Sequence, residues 1–309
     1  MRTTLDHLKA SDRLRDAYAQ AIRRFSGRPG VLGIGIGLPM SNGKIDDNRK
    51  VIRVFVEEKL PAEAVDDRHL IPTRIDGIRV DVQALCMQGD THDTASFDDT
   101  TMAAQAELRP GISIGNAAGP PGTLGLIATS DGKPCLVSAD HVLAPLTSSS
   151  QDVYQPAPAD GGAGPEHLVG RVWRINRALG VATASVSTMR SLVRSPMGTT
   201  VVVKKFRLPK IGETVTKVGR STDKTHGVVR DFVSIQGCAR GFVIWPAGGT
   251  RTNVEISKGG DSGAVWYSED DSAGIAIQER GEPDGVPNQE WAVAAGLVYA
   301  ADALNFRPW

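Results

Sequence analysis

Gly259-Gly260-Asp261-Ser262-Gly263-Ala264-Val265-Trp266-Tyr267 is the stretch on which the reading of this chain turns. A serine used as a nucleophile needs small neighbours, so that the backbone can turn sharply and a substrate can approach closely. The apolar run Ala264–Tyr267 after it reads as a strand. In such a turn the N–H groups of Gly260 and Ser262 can point together and hold a developing oxyanion. A nucleophile of this kind also needs a base. Upstream, Leu136-Val137-Ser138-Ala139-Asp140-His141-Val142-Leu143-Ala144 sets a histidine directly after a buried-looking strand, 121 residues before Ser262. Histidine is the side chain best suited to take a proton near neutral pH. Alone, each motif has an ordinary reading, a loop serine and a structural histidine. In this order and this context the pair points to acyl transfer.

The context is a succession of short β-branched runs broken by Gly, Pro, Asn and Asp. After Pro110 they fall at Thr123–Thr129, Cys135–Ser138, Val169–Ile175, Val181–Val186, Thr200–Phe206, Thr214–Val218, Gly227–Ile235, Gly241–Trp245, Ala264–Tyr267, Gly274–Ile277 and Trp291–Ala294. Asp131-Gly132 between two such runs marks a hairpin. Many short strands without intervening helices mean a barrel or sandwich. A helix over Ala300–Phe306 closes the chain.

The first 87 residues read differently. Leu14, Tyr18, Ile22 and Phe25 share one face of a helix over residues 3–25, with Thr3 and Asp6 at capping-box spacing. Val31–Gly37, Val51–Val56 and Ile78–Ala84 are strand-like. Residues 88–109 open polar and acidic, with Asp90, His92, Asp93, Asp98 and Asp99, and read as a linker rather than a metal site. The expected organisation is a helix plus small α/β unit at 1–87, a linker at 88–109 and a β domain at 110–309.

Composition narrows the function classes. The 309 residues carry 35 Lys+Arg against 35 Asp+Glu, which disfavours a nucleic-acid coat or a polybasic membrane binder. Hydrophobic residues at 40% suit a folded protein. Cys86, Cys135 and Cys238 form neither a disulfide framework nor a zinc site. No secretory signal and no run of about 20 apolar residues is visible, so the expectation is a cytoplasmic protein without cofactor or metal. Two further motifs are set aside. Gly111-Ile112-Ser113-Ile114-Gly115 lacks the helix that must come after a nucleophile elbow, and Gly33-Ile34-Gly35-Ile36-Gly37 runs into Leu38-Pro39 rather than a helix, as a Gly-rich strand would.

From Gly111 to the C-terminus the sequence resembles the chymotrypsin-like (trypsin-type) serine peptidases. It is most similar to their intracellular bacterial and plant narrow-leaf-type branch, which has an N-terminal extension. The resemblance lies in Gly122-Thr123-Leu124-Gly125, Ser138–Ala144, Gln155-Pro156 with Asp160-Gly161-Gly162, and Val218-Gly219-Arg220-Ser221-Thr222. It implies a double β-barrel with His141 as base, Ser262 as nucleophile and the Gly260 and Ser262 amides as oxyanion hole. A peptide or protein is the implied substrate; a homo-oligomer is compatible. Ile256, six residues before the nucleophile, would form the floor of the main specificity pocket and favour apolar side chains. Secreted members are switched on when a new N-terminal amine pairs with the Asp before the Ser, here Asp261. The long extension predicts that this chain does not use that switch.

One member of the implied triad is missing. The family places an Asp at the start of a strand whose counterpart here is Leu179-Gly180-Val181-Ala182-Thr183-Ala184. Residues 167–212 hold nine Lys/Arg and no acid. Asp152 or Asp160 reaching in from a loop, or a water or Asn176, are the substitutes the sequence offers, while Asp140 reads as capping the turn after it. Two readings stay open: a serine endopeptidase with altered support of His141, and a pseudopeptidase that binds without cutting.

Overall fold

The computed structural model describes residues 4–41, 44–45, 49–66, 68–85, 99–235, 238–247, 254–282 and 290–309. The expected acidic run at 88–98 lies outside the described residues. The segment from residue 99 to residue 109 is folded rather than linker-like. Asp99–Met102 is a helical turn and Glu107–Leu108 pairs with Ser191–Leu192; Thr101 and Leu108 are buried.

The fold is a chymotrypsin-like double β-barrel. Six strands close the second barrel, in the order Thr214–Gly219, Val265–Ser268, Ala273–Gly281, Ala292–Gly296, Cys238–Pro246 and Asp223–Ile235, the last pairing back with the first. The first barrel is an eight-stranded curled sheet. It runs Arg307–Pro308, Leu126–Ser130, Lys133–Ala139, Val181–Val186, Leu168–Asn176, Asp152–Tyr154, Ser113–Asn116 and Gly122–Thr123. Ser130 pairs with Lys133 across Asp131-Gly132, the tight hairpin expected for that dipeptide. Leu297–Leu304 is the C-terminal helix, beginning three residues before the expected Ala300. Its Leu297, Ala300 and Leu304 pack with Val137, Val181, Trp291 and Val293 in a core that both barrels share.

The N-terminal elements continue the second barrel's sheet. Val31–Gly37 lies antiparallel to Asp223–Ile235 on one side and to Val51–Val56 on the other, and Ile78–Ala84 adds in parallel. Alternation sorts the first of these strands. Ile34 and Ile36 are buried under the helix Asp12–Phe25, against Ala17, Ala21 and Phe25. Gly33, Gly35 and Gly37 take the opposite face, where the backbone runs too close for a side chain. A Cβ on Gly33 would lie 2.5 Å from the Ser234 carbonyl oxygen, and one on Gly37 would overlap the Asp231 carboxylate. The Gly-Ile-Gly-Ile-Gly string is thus a strand that fits a barrel wall. Arg53 joins the two parts: its guanidinium donates to Asp231 at 3.0 Å, Asp81 at 3.2 Å and the Leu38 carbonyl at 2.9 Å.

Two readings need correction. The single helix over 3–25 is two, Thr4–His7 and Asp12–Phe25. Lys9 takes a left-handed φ of 48°, and the Ser11 hydroxyl caps the second helix by accepting the Leu14 amide. Of the expected strand Thr200–Phe206 only Lys205–Phe206 forms, in parallel with Ala273–Gly274. Of the valines before it Val203 is buried in the shared core, 5% exposed, and Val201 packs against that core half-buried, neither joining a ladder. No described helix is long and apolar enough to cross a membrane.

Candidate active site

Strand ends from both barrels meet around the Gly-Asp-Ser-Gly turn. Thr123 of the first barrel holds it: its N–H donates to the Ser262 carbonyl at 2.8 Å and its hydroxyl to the Gly260 carbonyl at 2.8 Å. The amides of Asp261, Gly263 and Ala264 are spent on the carbonyls of Lys258, Gln278 and Asp261. The Gly260 and Ser262 amides make no hydrogen bond with the described residues. Two alternate N–H groups are therefore left for an incoming oxygen, with Gly260 at φ 100° turning the chain between them.

The Asp261 carboxylate, wholly buried, anchors this turn from beneath. It accepts from Lys217 Nζ at 2.8 Å, the Thr222 hydroxyl at 2.6 Å and the amides of Ser221, Thr222 and Lys258. Lys217 is itself 0% exposed, with its ammonium 5.4 Å from the Trp266 ring centroid. An ammonium from within the fold pairs with this aspartate.

His141 lies in the single helical turn Asp140–Leu143 at the end of Lys133–Ala139. Its side chain is one-third exposed, yet its Nε2 is buried and has no hydrogen-bond partner among the described residues. Two carboxylates face its Nδ1, Asp140 Oδ1 at 3.7 Å and Glu279 Oε2 at 4.0 Å. Both are close charges rather than hydrogen bonds. Burial opposes ionisation of Asp140, but His141 and the Arg177 guanidinium, 3.0 Å away, outweigh it and hold the carboxyl below its usual range. Glu279 comes from the second barrel, on Ala273–Gly281. It also touches the serine: the Ser262 hydroxyl donates to its backbone carbonyl at 3.3 Å. Glu279 thus stands against both residues, its carboxylate toward His141 and its backbone carbonyl on Ser262.

The substitutes offered by the sequence are engaged elsewhere. Asp160 is paired with Arg220 and accepts the Ser113 hydroxyl at 2.5 Å, and Asp152 is paired with Arg171 at 3.0 Å. Ser113, in the rejected elbow motif, is spent on that bond. Asn176 accepts the Leu179 amide at 3.1 Å. Asp140 does more than cap its turn, since Arg177 and His141 both face it. Ile256 does not floor an open pocket. Its side chain is 0% exposed in the core between the barrel and the N-terminal elements. Next to it, Ser257 accepts from Gln278 Nε2 at 2.7 Å and fills the space a Cβ on Gly281 would need.

Close by, Glu255, Glu282 and Glu290 gather their carboxylates within 4.8 Å of one another. Burial raises the Glu282 carboxyl above its usual range, against hydrogen bonds from Glu290 and the Trp291 amide, and the Glu255 charge adds to it. The folded state therefore holds this proton longer than the unfolded chain, so stability falls as pH rises past about 4.5 through the raised value. Glu282→Gln keeps an acceptor for the Trp291 amide and removes that fall. Its melting temperature should exceed wild type at pH 8 and equal it at pH 4; equal melting at both would refute the assignment.

No protein-family model and no curated protein matches the sequence. Among solved structures the chain is similar to a glutamic-acid-specific serine protease, with a TM-score of 0.49 and 16% identity over 65% of this chain and 100% of that one. Thermobifida fusca protease A aligns with a TM-score of 0.48 and 12% identity, over 65% and 98%. Nocardiopsis protease gives 0.46 and 15%, over 65% and 98%.

Proposed function

We propose that this chain is a serine peptidase that hydrolyses peptide bonds with Ser262 as nucleophile and His141 as base. The observation that carries the reading is the pair of amides at Gly260 and Ser262 that make no hydrogen bond among the described residues, on a serine joined through Glu279 to a histidine whose Nε2 is likewise unpartnered among them. In this reading the Ser262 hydroxyl leaves the Glu279 carbonyl and donates to that nitrogen when substrate is bound. His141 then takes the proton as the oxygen attacks the substrate carbonyl, and the two amides receive the oxyanion. The imidazolium passes the proton to the leaving amine, and water repeats the sequence on the acyl-enzyme. Geometry that tightens only when substrate binds is ordinary for such sites.

A second reading has an observation of its own. Ser262 is hydrogen-bonded to a backbone carbonyl rather than to His141, as in a site that binds peptide without cutting it. A fluorophosphonate probe separates the two. Labelling of wild type that disappears in Ser262→Ala supports the peptidase; no labelling between pH 5 and 10, with peptide binding retained, supports the pseudopeptidase.

A further inference from the structure

Resting on the Ser262–His141 reading, we propose that Glu279 is the positioning residue for His141. The carboxylate missing from the first barrel is then supplied by the second, from across the cleft.

The place argues for it first. A Cβ built on Gly180 would overlap Glu279 Oε2 and lie 2.6 Å from its carboxyl carbon. A carboxylate from the opposite barrel thus fills the room a side chain at position 180 would need. The two arrangements exclude each other in space, and the left-handed φ of 70° at Gly180 favours glycine there on its own account. Gly180 also stands against the base by its backbone, since its carbonyl accepts the Asp140 amide at 2.7 Å. The other place for an acid in Leu179–Ala184 is Ala182, which is buried in the first-barrel core cluster with Leu136, Val153 and Val169, where a carboxylate would be costly.

Reach and burial argue next. The Glu279 side chain is 4% exposed, where a carboxylate acts with little competition from water. A movement of about 1 Å brings Oε2 from 4.0 Å to hydrogen-bond distance of Nδ1. An Nδ1–H donated there fixes the tautomer whose Nε2, buried and without a hydrogen bond among the described residues, can accept the Ser262 proton.

Asp140 is 0.3 Å nearer but is a poorer orienter. It is the chain neighbour of His141, and its other oxygen is paired with Arg177. Asp140 faces Glu279 as well as His141, the ligand atoms of the three lying within 4.8 Å of one another, and the Glu279 charge joins burial in suppressing ionisation of the Cys238 thiol, with Arg280 opposing.

The experiment combines ring-nitrogen NMR of His141 with fluorophosphonate labelling rates. Glu279→Gln should convert His141 from the Nδ1–H tautomer to a mixture and slow labelling on the order of a thousandfold or more. Glu279→Asp should keep part of both, and Asp140→Asn should cost less than tenfold. Gly180→Asp alone should be at least as damaging as Glu279→Gln, because two carboxylates contest one volume and an Asp strains the left-handed backbone at 180. Gly180→Asp with Glu279→Ser should recover at least tenfold over Gly180→Asp alone, since both carry the same backbone strain and only the single variant keeps the clash. An unchanged tautomer and rate in Glu279→Gln would overturn the proposal, as would full loss in Asp140→Asn alone. If wild type is not labelled at all, the peptidase reading fails, and the tautomer shift still decides whether Glu279 holds the histidine.

Discussion

Lys217→Met should cost about 3–5 kcal/mol, the range for breaking one side of a buried ion pair. Both partners are wholly buried, so water cannot replace the lost ammonium. Asp261 would keep the Thr222 hydroxyl and three amides, which solvate a carboxylate but bring no opposite charge. The damage should also be functional. Asp261 sits between the two amides proposed to receive the oxyanion, so a turn relaxing around an uncompensated charge misaims both. Chemical denaturation should report the stability loss, and fluorophosphonate labelling should fall more than the folded fraction does. Lys217→Met with Asp261→Asn is the control. Removing both charges should recover most of the stability, because a neutral pair of similar volume costs little. A single variant as stable as wild type would show that the ion pair does not anchor the turn. The same pair bears on activation: with an ammonium supplied internally, the intact chain should label without N-terminal trimming.

The legible parts of the fold were those fixed by local pattern. The strands Val31–Gly37, Val51–Val56, Ile78–Ala84 and Val181–Val186 have the bounds their β-branched runs suggest; Leu38-Pro39 and Glu57-Glu58 stop the first two, and Gly77 and Gly180 precede the last two. Thr200–Phe206 has the same composition and mostly fails, since a valine run joins a sheet only where an edge is free to receive it. Glu279 was hidden for a related reason. The segment between His141 and Ser262 is where a carboxylate is normally sought, and it is empty from 167 to 212. Glu279 lies 17 residues beyond the serine, and only the pairing of Ala273–Gly281 with its neighbours turns it toward the first barrel. A faint signal existed. Gln278-Glu279-Arg280 interrupts an otherwise apolar strand, and a buried acid in such a run needs a partner.

Deleting residues 1–87 should leave a chain that does not fold, although the sequence alone presents this segment as a separate unit. The first reason is the sheet. Without Val31–Gly37 the outer edge of Asp223–Ile235 loses its ladder from Asp231 to Ile235. The second is the core. Leu14, Ala17, Ala21, Phe25, Ile34 and Ile36 pack in one cluster with Phe232, Phe242, Ile244 and Trp266 of the barrel. Removing the helix and its strands would bare those aromatic faces, each large buried side chain being worth about 1.5–3 kcal/mol of burial. The third is charge, because Asp231 is 1% exposed and Arg53 is its ion-pair partner across the junction. Arg53→Met tests that last contribution by itself. It should destabilise the whole protein in a single transition, by about 3 kcal/mol if Asp231 is left uncompensated. Circular dichroism melting and soluble yield of the two variants give the answer. If the truncated chain melts cooperatively and still labels at Ser262, the barrels are self-sufficient and the N-terminal strands are an appendage. If Arg53→Met unfolds in two steps, the junction is weaker than its shared sheet implies. A single transition, lowered in Arg53→Met and absent after deletion, is the expected result, because barrel and extension bury one another's apolar surface.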